Sequence, residues 1–136
     1  MRSRTPKILD IKSDISELRK VESFLTEIFT EFNLTQKYFN NTYLCISEAV
    51  VNSIKHGNKN DINKTISIVV NYDITELNVL IEDEGNGFDL NIIPDPTCEE
   101  NLKNESGRGI FIIKALTNRI EYNDKGNRIQ FKINCV

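Results

Sequence analysis

Residues 48–57 read Glu48-Ala49-Val50-Val51-Asn52-Ser53-Ile54-Lys55-His56-Gly57 and decide how the rest of the chain is read. Apolar residues at Phe39, Tyr43, Leu44, Ile46, Ala49, Val50 and Ile54 recur at helical spacing, so a helix is expected from the N-cap candidate Thr35 to His56. Gly57 suits the left-handed position that closes a helix. Within this helix Glu48 and Asn52 stand four residues apart and share one face. They could belong to a solvated stripe with Ser47 and Lys55. They could equally face a ligand, with Asn52 offering a neutral oxygen to Mg2+ and Glu48 accepting a proton.

Upstream, Lys7 to Lys12 reads as a short strand. Asp14 then caps a first helix, with Glu17 three residues later as in a capping box. Leu18, Val21, Leu25, Ile28 and Phe32 carry that helix to about Glu31. Downstream, Asn58 to Asn63 reads as a polar loop. Ile66, Ile68, Val70 and Tyr72 alternate with Ser67, Val69 and Asn71, a strand pattern that turns at Asp73–Glu76. Leu77, Val79 and Ile81 form the inward side of the next strand. Asp83 lies on that same side, so its carboxylate should point into the core.

A buried carboxylate needs a partner. An adenine exocyclic amine would serve, and so would a cap on a glycine-rich turn. Gly85 and Gly87, followed by Phe88, allow the backbone to approach a ligand. Residues 89–106 hold Pro94 and Pro96, have no clear period, and read as a lid. Gly107-Arg108-Gly109-Ile110 opens a further helix to Thr117. Its N–H groups could receive phosphate, and Arg108 could pair with it. These residues could also be no more than a permissive helix start. Arg119–Asn123 and Arg128–Asn134 then form a hairpin around Asp124-Lys125-Gly126-Asn127.

The order is strand, two helices, two strands, lid, helix, two strands. Sequential hairpins give a mixed, mostly antiparallel sheet with helices on one face, an α+β two-layer sandwich in one domain over residues 1–136. The net charge of −3 argues against a basic nucleic-acid footprint. No apolar run approaches the length that spans a bilayer, and the basic start lacks a signal-peptide core, so a cytoplasmic protein is expected. Cys45, Cys98 and Cys135 are widely spaced and His56 is the sole histidine, too few ligands for structural zinc.

Three motifs in this order resemble the GHKL ATPase superfamily: Glu48 to Gly57 its N box, Asp83 to Phe88 its first glycine box, Gly107 to Phe111 its second. The bare domain, with His-Gly closing the N-box helix, is most similar to the RsbW-type anti-sigma factor/serine-protein kinase family. The resemblance implies a Bergerat fold that binds ATP or ADP with Mg2+. It makes Glu48 the catalytic base, Asn52 the Mg2+ ligand and Asp83 the adenine acceptor. Gly85, Gly87, Phe88, Gly107, Arg108, Gly109 and Ile110 would shape the nucleotide pocket, with His56 at its edge. It implies phosphorylation of a serine on an anti-anti-sigma partner of the STAS class, capture of a sigma factor, and a homodimer that helix one could serve. Two other outputs fit the same motifs: a nucleotide-dependent sequestering switch without kinase activity, and a stand-alone histidine-kinase-type catalytic domain.

Overall fold

The computed structural model describes residues 6–73, 76–85, 117, 119–123 and 127–134. Among the described residues five strands run β1 (Lys7–Lys12), β2 (Thr65–Asp73), β3 (Glu76–Asp83), β4 (Arg119–Tyr122) and β5 (Arg128–Asn134). They form one sheet in the order β1-β2-β3-β5-β4. Every pairing among them is antiparallel, so the mixed character expected of the sheet is absent from the described strands. Two helices, α1 (Leu18–Glu31) and α2 (Phe39–Asn52), pack against the sheet.

Alternation explains the layers. Ile66, Ile68 and Val70 of β2, Leu77, Val79 and Ile81 of β3, and Ile129, Phe131 and Ile133 of β5 are buried on one side. Cross-strand pairs join them in rows, such as Ile68↔Ile81 and Ile81↔Ile129. Burying each such side chain is worth roughly 1.5–3 kcal/mol. The helices close this core with Val21, Leu25, Ile28 and Phe29 from α1 and Cys45, Ile46, Ala49 and Val50 from α2. Phe29 meets Phe39 edge to face at 5.2 Å, which fixes α1 against α2.

The helix starts differ in detail from the expected caps. The Asp14 side chain accepts from the Ser16 N–H at 3.0 Å, and a 3-10 turn (Ile15–Glu17) precedes α1. Glu17 accepts from the backbone of Lys12 at 3.1 Å rather than from Asp14, so it ties the turn to β1 instead of closing a capping box. Thr35 has extended backbone but makes no side-chain cap bond, and a 3-10 turn (Gln36–Tyr38) follows it.

Regular α-helix ends at Asn52, earlier than the apolar periodicity suggests. Ser53–Gly57 widens into a π-turn, with the Asn58 N–H donating to the Ser53 carbonyl at 2.7 Å. Gly57 is not left-handed. The positive φ values fall just beyond it, at Lys59 (53°) and Asn60 (60°). Among the described residues, no helix is long and apolar enough to cross a membrane.

Candidate functional site

The site forms where the end of α2 meets the end of β3. Asp83 is the last inward residue of β3, paired with Ile66 in register and only 5% exposed. Alternation from Leu77 puts it on the core side, and the sheet ends there. Its backbone is held from both directions by Asn127. The Asp83 N–H donates to the Asn127 carbonyl at 2.9 Å, and the Asn127 side-chain amide donates to the Asp83 carbonyl at 3.1 Å. Its carboxylate accepts from the Gly85 N–H at 2.8 Å.

Glycine is required at both neighbours for space. A β-carbon on Gly57 would sit 2.7 Å from Oδ1 of Asp83 and nearer still to Oδ2. A β-carbon on Gly85 would overlap the Gly57 carbonyl and stand 3.0 Å from Oδ1 of Asp83. Gly57, Asp83 and Gly85 therefore interlock, and the π-turn delivers Gly57 to the contact.

Asn52 and Asp83 line one narrow cleft with Ala49, Ser53, Ile81 and Tyr122, closed by Asn127 to Ile129. The described residues enclose about 20 Å³ there, a water-sized recess at the foot of the site. The structure thus brings together Asn52 and Asp83, with Gly85 beside them. Glu48 is half-buried one turn before Asn52 and does not line the recess. His56 is exposed and likewise lies outside that lining. Gly87, Phe88, Gly107, Arg108, Gly109 and Ile110, the lid of residues 89–106, the helix expected from Gly109 and the turn at Asp124–Gly126 lie outside the described residues, as do Cys98 and Cys135.

Cys45 in the core and Tyr122 in the cleft wall carry shifted acidities. Burial pushes the Cys45 thiol up to about 11, with the charge of Glu48 adding to the effect. Burial alone pushes the Tyr122 phenol up to about 12.

The residue types suit the polar edge of an adenine, a buried acceptor with glycine backbone beside it, but the recess itself holds no more than a water and its apolar walls Ala49, Ile81 and Ile129 are buried. For a metal, no group of three or more His, Cys, Asp or Glu side chains converges among the described residues. Asn52 alone suits Mg2+, which takes few protein oxygens and its remaining ligands from phosphates and water.

Sequence reasoning missed Asn127, Tyr122 and Ser53 in this lining, and it assigned Gly57 a different role. Tyr122 ends β4 and Asn127 immediately precedes β5, strands that reach the site only through the β3–β5–β4 pairing. Gly57 did carry a signal, being a glycine at a helix end, but its cause is a side chain 26 positions away.

Comparison with known proteins places the chain in a family. Residues 11–133 match the histidine kinase-like ATPase domain family. The serine-protein kinases RsbW of Staphylococcus aureus strains JH9 and Newman are each 29% identical over 111 residues, covering 75% of this chain and 69% of theirs. A crystal structure of the RsbU and RsbW domains of a Mycobacterium tuberculosis protein superposes with a TM-score of 0.66 at 16% identity. That likeness covers 96% of this chain and 31% of the other, and it shows the shared fold. A match spanning most of the chain settles the family: this protein belongs to the histidine kinase-like ATPase domain family.

Proposed function

We propose that this chain is an ATP-binding regulatory protein with serine/threonine-protein kinase activity toward a small partner protein. The observation that carries the reading is the buried carboxylate of Asp83, set at the foot of a cleft that Asn52 also lines. Asp83 accepts a hydrogen bond from the exocyclic amine of adenine. Asn52 supplies its side-chain oxygen to Mg2+, which when bound neutralises charge on the triphosphate. Glu48 takes the proton from the serine hydroxyl as that oxygen attacks the γ-phosphorus and ADP leaves. Such transfer depends mostly on positioning and electrostatics, which a rigid helix face and a strand end can provide.

In this reading the glycine-box residues Gly87, Gly107 and Gly109, with Arg108, bind the phosphates, as the resemblance implies. The relatives named serine-protein kinase support serine as the acceptor. The resemblance to the anti-sigma group supports a STAS-class anti-anti-sigma protein as substrate and a sigma factor as the second partner. Incubation with Mg-ATP and a STAS-domain partner, followed by phosphoamino-acid analysis, tests the activity. Acid-stable phosphoserine on the partner is expected. Acid-labile phosphohistidine would shift the reading to a catalytic domain of the histidine-kinase type. Nucleotide binding with no phosphorylation, but with partner capture that differs between ADP and ATP, would make it a sequestering switch.

A further inference from the structure

Asn58 follows the π-turn immediately and is 1% exposed, though it sits at the start of a polar loop. Each polar group of its side chain is engaged. Its amide nitrogen donates to Ser13 Oγ at 2.7 Å and to the Thr65 carbonyl at 3.0 Å. Its amide oxygen accepts from the Glu84 N–H at 2.9 Å. Ser13 in turn donates to the Lys64 carbonyl at 2.8 Å.

The last of the Asn58 bonds matters most for the site. Glu84 is the residue between Asp83 and Gly85, and Asn58 is the residue after Gly57. One carboxamide thus fastens the two segments whose glycines and carboxylate interlock. Gly57 can offer no side chain of its own for this, because the Asp83 carboxylate fills the space. The Asn58–Glu84 bond adds a directional polar tie to the packing between the end of α2 and the end of β3. The two donor bonds point the other way, toward the end of β1 and the start of β2, and anchor the side chain from behind.

We propose that Asn58 is a positioning residue for nucleotide binding: through the Glu84 backbone it holds the Asp83 carboxylate in register with Asn52. The inference rests on the assignment of Asp83 to the nucleotide pocket. It divides the Asn58 amide by function, its oxygen serving the site and its nitrogen serving the fold.

Two substitutions separate those roles. Asn58→Ala removes all three bonds. Asn58→Asp keeps an oxygen for the Glu84 N–H and loses the donors to Ser13 and Thr65. Mg-ATP affinity by calorimetry and thermal midpoint by circular dichroism are measured for wild type and both variants. Both variants should melt below wild type. Asn58→Ala should bind about tenfold more weakly, as expected for an unmade buried hydrogen bond, and Asn58→Asp should stay within about threefold of wild type. In an Asp83→Asn background, adding Asn58→Ala should cost little further affinity, because the two act through one contact. Wild-type affinity in Asn58→Ala, or affinity that simply follows the melting temperature through both variants, overturns the proposal while leaving the pocket assignment standing. A folded wild-type protein that binds no adenine nucleotide overturns both.

Discussion

The carboxylate of Asp83 rests on the α-carbon of Gly57, so close that a methyl group there would fall 2.7 Å from Oδ1. Neither residue explains the other in sequence, where helix end and strand end are separate features. In the fold they are one contact, and the candidate site is built around it.

Gly57→Ala and Gly85→Ala should both destabilise, and by different amounts. At Gly57 the obstacle is a side chain held by its backbone; at Gly85 it is the Gly57 carbonyl itself. Overpacking of this kind costs about 1–3 kcal/mol, and Gly85→Ala should lie at or beyond the upper end because backbone must move. Urea denaturation gives both numbers. Equal stability of Gly85→Ala and wild type would refute the interlock.

Glu48→Gln should keep nucleotide affinity and lose phosphoryl transfer. The substitution preserves shape on a half-buried helix face and removes the proton acceptor. Calorimetry and partner phosphorylation, run on the same preparation, check the two halves. Full transfer activity would remove Glu48 from the chemistry.

Cys45 should be inert in the native protein. Its thiol is 0% exposed, and burial first, then the Glu48 charge, push it up to about 11 from 9.0. The folded state therefore holds this proton more tightly than the unfolded chain. Its contribution to stability is whole below pH 9.0 and is lost as pH rises through about 11. Iodoacetamide labelling mapped by mass spectrometry should find Cys45 unmodified at neutral pH until denaturant is added. Rapid native labelling would contradict its placement in the core.

Much of the architecture was legible because alternation and helical spacing are local properties. The strand expected at Lys7 to Lys12 has those bounds, and Leu77, Val79 and Ile81 correctly forced Asp83 inward. What local pattern could not show was anything set by pairing in space. The π-turn at Ser53–Gly57 inserts no unusual residue type, so periodicity alone extends α2 to His56. Asn58 looks like any loop asparagine until its contacts with Ser13 and Glu84 are seen. Asn127 sits in a sequence that signals only a turn, yet it brackets the Asp83 backbone.

The most direct test of the central claim is calorimetric titration of Mg-ATP into wild type and Asp83→Asn. The account predicts saturable binding to wild type and a loss of roughly 1–3 kcal/mol in the variant, the range for a buried hydrogen bond left unmade. Equal affinity in the two proteins would contradict it.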